Sequence, residues 1–83
     1  MAYVYILQNR SSGRYYVGST SDLERRLVEH NRAHSLATRG RGPWVLVYQE
    51  GFSLLREARQ RERKIKSWKS AKLIAQLVAQ NKD

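Results

Sequence analysis

The sequence predicts an α/β domain of the α+β type: a three-stranded antiparallel sheet flanked by helices, in the order β-β-α-β-α-α. Three observations predict it. Two short β-branched and aromatic runs near the N-terminus are separated by a few turn residues, a third such run follows the single proline, and the other stretches space their apolar residues as helices do. Strands joined by a tight hairpin must run antiparallel, and a sheet with an apolar face must bury it against another layer. No internal repeat, low-complexity segment or linker marks a second unit, so residues 1–83 are read as one domain with a modest core.

Tyr3 to Gln8 supply the first strand, Asn9 to Gly13 the turn, and Tyr15 to Ser19 the second strand. Ser21 followed three residues later by Glu24 forms a capping-box pattern, and Leu23, Leu27 and Val28 continue it as an apolar stripe. A first helix is therefore expected from about Asp22 to Ala33. The polar, glycine-containing stretch from Ala33 to Gly42 reads as a loop. Pro43 then precedes the third strand, Trp44 to Tyr48, and Gly51-Phe52-Ser53 turns the chain into a second helix capped by Ser53 and running to about Trp68. Ser70 can cap a third helix with Ala71, Ile74, Ala75 and Val78 on its apolar side.

Sixteen Lys and Arg against seven Asp and Glu give a formal charge of +9. Such an excess favours a polyanionic partner through long-range attraction and counterion release; nucleic acid is the first candidate and an anionic membrane surface the second. The basic segments lack the broad apolar face that a helix lying on a membrane would bury, so no membrane partner is expected. Solubility alone is the other reading of the charge. The absence of cysteine excludes disulfides, thiolate metal sites and cysteine nucleophiles. Val4 to Leu7 is too short an apolar run for a signal-peptide core or a membrane span, and a cytoplasmic location is expected.

Three positions draw the chemistry. Glu62 lies on the same helical face as Leu55, Ala58 and Ile65, where an apolar residue belongs. A carboxylate there needs a cation, which is either an arginine in an ordinary salt bridge or a bound metal. Arg26 and His30 sit one turn apart on the first helix, where a guanidinium fork and an imidazole can reach one ligand or simply lie solvated. Tyr3, Tyr5, Tyr15 and Tyr16 crowd the hairpin. If opposed residues have numbers with an odd sum, Tyr16 and Gly18 share a face with Tyr5, while Tyr15 and Val17 join Val4 and Ile6; composition leaves that register open.

Tyr3-Val4-Tyr5, Tyr16-Val17-Gly18, Leu23-x-x-Arg26-Leu27, His30-Asn31, Gly42-Pro43-Trp44 and the helical Glu62 together resemble the pattern of GIY-YIG nucleases, most closely the small stand-alone bacterial members. The resemblance implies a catalytic set of Tyr5, Tyr16, Arg26, His30 and Glu62. Tyr5 and Tyr16 would line the site, one of them helping to activate water; Arg26 would contact the scissile phosphate; His30 would lie near the nucleophile. Glu62 would be the sole carboxylate ligand of one Mg²⁺ or Mn²⁺, the rest of its shell coming from water and substrate, and Gly18 would let backbone and substrate approach. Tyr3 departs from the motif's glycine, and Val4 and Val17 replace isoleucines. The implied activity is metal-dependent endonuclease cleavage of DNA, with a non-catalytic nucleic-acid-binding module of the same fold as the alternative.

Binding is expected from the basic face of the second helix, through Arg56, Arg59, Arg61, Arg63, Lys64, Lys66 and Lys69, extended by Arg32, Arg39 and Arg41. Contacts of this kind hold phosphates and read no bases, so weak sequence preference and steep salt dependence are expected.

Overall fold

A computed structural model describes residues 1–32 and 43–80 of the chain. The elements follow the expected order: β1 (Ala2–Asn9), β2 (Tyr15–Thr20), α1 (Leu23–Asn31), β3 (Trp44–Phe52), α2 (Leu55–Ser67) and α3 (Ala71–Gln80). The expected loop from 33 to 42, with Arg39 and Arg41, lies outside the described residues. The sheet is antiparallel throughout, with β1 central in the order β2-β1-β3.

Asn9 builds the hairpin turn. Its Oδ1 accepts the backbone N–H groups of Ser11 and Ser12, each at 2.9 Å, and Gly13 takes the positive φ of 77° that a side chain would disfavour. The register that follows pairs Tyr5 with Gly18 and Leu7 with Tyr16, the odd-sum alternative. Tyr3, Tyr5, Leu7, Tyr16 and Gly18 therefore share one face, and Val4, Ile6, Tyr15, Val17 and Ser19 the other.

Each face carries its own core. Val4, Ile6, Val17 and Tyr48 pack with Ala58 and Ile65 of α2 and Val78 of α3, while Tyr5, Leu7 and Trp44 pack with Leu23 and Leu27 of α1. A bulge makes the second core possible: β1 pairs Ile6 with Tyr48 but Leu7 with Leu46, so Val47 is the extra residue. Without it, Leu46 and Trp44 would lie on the face of Tyr48; with it, they turn to the α1 side. Asn31, the last residue of α1, fastens this end of β3, accepting from Trp44 N at 2.9 Å and donating to Trp44 O at 3.1 Å.

The caps differ from those expected. Asp22, not Ser21, caps α1 by accepting from Arg25 N at 3.1 Å, because Thr20 Oγ1 binds Asp22 N and delays the helix start by one residue. Strand β3 runs on through Gly51 and Phe52, which pushes the α2 start past Ser53 to an N-cap at Leu54. Leucine offers no acceptor, and Glu57 Oε1 reaches back to Leu54 N at 3.1 Å. Ser70 does cap α3, its Oγ accepting from Leu73 N at 3.2 Å. On α3, Ala71 is exposed and Leu77 takes the expected packing role beside Ile74 and Val78.

Candidate active site

On the α1 face, Tyr5 lies 1% exposed with its hydroxyl 2.9 Å from His30 Nε2, and His30 is equally buried. Arg26, one helical turn before His30, lies close enough for its positive charge to act on the Tyr5 phenol. Donation of the Tyr5 O–H to Nε2 would make His30 the neutral imidazole carrying its proton on Nδ1. Burial, aided by the Arg26 charge, lowers the His30 pKa below its ordinary 6.5 and keeps it neutral. Burial also raises the Tyr5 pKa, outweighing the opposite pull of Arg26. Arg26 reaches out to Glu29 as well, Nη1 to Oε1 at 2.9 Å, with its side chain 35% exposed. The half-buried Tyr16 ring meets His30 edge-on at a centroid distance of 4.7 Å and Trp44 at 6.4 Å, wedging the imidazole in place.

Gly18 allows this arrangement. A Cβ there would stand 2.5 Å from the Tyr5 hydroxyl oxygen and 2.6 Å from Cζ. In the structure the Tyr5 phenol, reaching over from the neighbouring strand β1, occupies the space that a Cβ would need.

Glu62 comes from the opposite face. Its Oε1 accepts from Ser19 Oγ and its Oε2 from Lys66 Nζ at 2.6 Å, leaving the side chain 21% exposed. The cation that this half-buried carboxylate needs is thus a lysine one turn along, where an arginine was considered. No direct contact joins Glu62 to the tyrosine cluster, although its charge reaches Tyr5 and helps to raise that pKa. Tyr5, Tyr16, Arg26 and His30 therefore form one contiguous group, and Glu62 joins them across the edge strand, where Gly18 and Ser19 are adjacent residues facing opposite ways.

Ser19, Arg59, Glu62, Arg63 and Lys66 line a cleft of about 310 Å³. Arg59 and Arg63 follow the same helical flank of α2 as Lys66. Arg56, Lys64 and Lys69 are exposed, as is Arg32 at the end of α1. Arg61 departs from the expected surface: it pairs with Glu50 at 3.1 Å and lies over the Trp68 ring, on the far flank of the helix. Among the described residues no three His, Asp or Glu side chains gather into a ready-made metal cage. The Glu62 carboxylate beside the Ser19 hydroxyl is a set of hard oxygen donors, which fits Mg²⁺ or Mn²⁺ bound largely through water and phosphate oxygens. Ser19, Glu29 and the clamp function of Asn31 were missed at the sequence level; only the odd-sum register, had it been known, would have pointed Ser19 toward α2.

No helix among the described residues is long and apolar enough to cross a membrane. Comparison with known proteins matches the GIY-YIG catalytic domain to residues 1–75. A UPF0213 protein of Halobacterium salinarum is 43% identical over 67 residues, covering 80% of this chain and 86% of its own length. A UPF0213 protein of Clostridium perfringens is 48% identical over 67 residues, covering 80% and 71%. The solution NMR structure of a UPF0213 protein from Bacillus halodurans, 37% identical, has a TM-score of 0.62 over 98% of this chain and 86% of that one. With the match running from β1 into α3 and the fold shared by a relative, the chain belongs to the GIY-YIG catalytic domain family, a family of nucleases.

Proposed function

We propose that this chain is a divalent-metal-dependent endonuclease that hydrolyses phosphodiester bonds in DNA of branched, nicked or single-stranded form. The observation that carries the reading is the buried Tyr5 hydroxyl, 2.9 Å from His30 Nε2 and beside the Arg26 charge, packed over Gly18, the β2 neighbour of the serine that holds Glu62. The Arg26 and Glu62 charges both act on that phenol, while Glu62 lines the neighbouring basic cleft.

Arg26 is partly exposed with its charge beside the Tyr5 phenol, so it can offer an arriving phosphate a bidentate partner while the phenol oxygen accepts a hydrogen bond from water. Water then attacks phosphorus as the bond to the leaving oxygen breaks. Its proton passes to the Tyr5 oxygen while the Tyr5 proton passes to His30 Nε2, so the phenol ends neutral and the imidazole ends charged; the leaving oxygen takes its proton from solvent. Tyrosine thereby relays a proton without ionising at its own raised pKa. Tyr16 holds the imidazole, and Arg59 and Arg63 hold flanking phosphates. Glu62 and Ser19 would hold a divalent ion, which when bound supplies positive charge against the phosphate and the leaving oxygen.

The test is nicking of supercoiled plasmid and of branched oligonucleotides with Mg²⁺, Mn²⁺ or chelator. Metal-dependent nicking is expected, lost in Glu62→Ala and reduced about 10²- to 10⁴-fold in Tyr5→Phe. A near-wild-type rate in Tyr5→Phe would refute the tyrosine relay. Tight binding without nicking under every condition would replace the enzyme with a nucleic-acid-binding module.

A further inference from the structure

We infer that Lys66 is a resident cation on Glu62 which a divalent ion displaces, and that the freed ammonium then grips a substrate phosphate, so that metal binding and nucleic-acid binding reinforce one another. This rests on the reading of Glu62 as the metal ligand and goes beyond it by assigning what occupies the ligand beforehand.

Three observations carry it. First, the two Glu62 oxygens are held differently, Oε1 by the Ser19 hydroxyl and Oε2 by Lys66 Nζ at 2.6 Å. The serine is fixed in β2 and can keep the carboxylate oriented when Lys66 leaves. An ammonium and a divalent cation cannot share Oε2 without strong repulsion, so the ion must take the lysine's place. Second, Lys66 is able to leave. Its side chain is 53% exposed on a flexible stem, and a partly exposed pair one turn apart on a helix holds only weakly. Third, displacement leaves the ammonium in the right place, because Lys66 lines the same cleft as Arg59 and Arg63, whose charges already suit a phosphate backbone. Lys66 on Glu62 and Arg26 on Glu29 are both carboxylate-bound before substrate arrives, and the metal releases the first of them.

Coupling of this kind is reciprocal: whatever factor the metal adds to nucleic-acid affinity, nucleic acid adds to metal affinity. It also fixes signs. Removing the lysine amine should tighten metal binding to the free protein while weakening the metal's effect on nucleic acid, which a purely helix-stabilising pair would not do.

The experiment uses the full chain in four forms: wild type, Lys66→Met, Arg63→Met and Glu62→Gln. Mg²⁺ is titrated against each without nucleic acid, and the backbone NMR signals of Ser19 and Glu62 or its replacement are followed. Lys66→Met is expected to bind Mg²⁺ about two- to fivefold more tightly than wild type. Arg63→Met removes the same charge from the same cleft but not from the carboxylate, and is expected to show less than half of that gain. Fluorescence anisotropy of a labelled oligonucleotide in a Tyr5→Phe background, which suppresses cleavage, is then read with and without Mg²⁺. The Mg²⁺-dependent tightening should shrink in Lys66→Met and survive in Lys66→Arg. Mg²⁺ binding in Lys66→Met that is unchanged, weaker, or no tighter than in Arg63→Met overturns the displacement. Mg²⁺ binding in Glu62→Gln equal to wild type overturns the ligand assignment itself, and this inference with it.

Discussion

Substituting Gly18 by alanine tests the geometry of the site with a single methyl group. The added carbon would stand 2.5 Å from the Tyr5 hydroxyl oxygen, where ordinary van der Waals contact starts at 3.4 Å, so the phenol end must retreat by about 0.9 Å. The ring cannot swing into solvent, since it is 1% exposed and packed beside Tyr16 and His30. Retreat moves the hydroxyl off its 2.9 Å position beside His30 Nε2 and spoils the geometry of that hydrogen bond. Overpacking costs about 1–3 kcal/mol and the lost buried hydrogen bond about 1–3 kcal/mol more. Replacing a strand glycine returns roughly 0.5–1 kcal/mol. A net loss of about 2–4 kcal/mol is expected in urea unfolding, with cleavage down about 10²-fold from the misplaced relay. A companion measurement separates the two contributions. In Tyr5→Phe the ring still meets the methyl at Cζ, but no hydrogen bond remains to be broken, so the cost of Gly18→Ala should fall by roughly 1 kcal/mol. Unchanged stability and activity in Gly18→Ala would refute the packing argument.

Other predictions follow from the same contacts. Because His30 is held below 6.5 in the folded protein, the unfolded chain takes up that proton first as the pH falls, and binds more protons than the folded state. The His30 contribution should thus be complete above about pH 6.5 and decline as pH drops from there through the lower folded value; urea midpoints at about pH 7.5 and 5.5 should converge in His30→Gln. Asn31→Ala removes both hydrogen bonds to the Trp44 backbone and should cost about 2 kcal/mol, a fall of roughly 10 °C in the melting midpoint. Arg59→Ala and Arg63→Ala should each flatten the logarithmic salt dependence of DNA binding by about 0.9, whereas Arg61→Ala, whose guanidinium is engaged by Glu50, should leave the slope in place.

Much of the fold was legible because local patterns carried it. The aromatic hairpin, the stripe on α2 and the serine before α3 each announce themselves within a few residues. The misplaced caps at Ser21 and Ser53 have different origins: Thr20 Oγ1 accepting from Asp22 N moves one helix start by a residue, and the continuation of β3 through Phe52 moves the other. The bulge at Val47 was beyond reach for a different reason. The run Trp44 to Tyr48 offers apolar groups to either face, so its alternation carries no sign of where parity breaks. Glu62 stood out as a carboxylate among apolar neighbours, and Arg26 with His30 as a one-turn pair, whereas Ser19 is an unremarkable strand residue until register and helix packing bring it to Glu62. The separation of the site across two faces of β2 was equally hidden, because composition does not say which helix covers which side.

The hairpin register has an evolutionary corollary. Adjacent residues serve opposite sides of the sheet, and Asn9 with Gly13 sets the length of the connection between the strands. A single-residue insertion or deletion that propagated into the second strand would invert the pair, burying the hydroxyl under the phenol and turning the side-chain-free position toward the acid. Homologous chains should therefore tolerate substitutions within this turn far more readily than odd changes in its length.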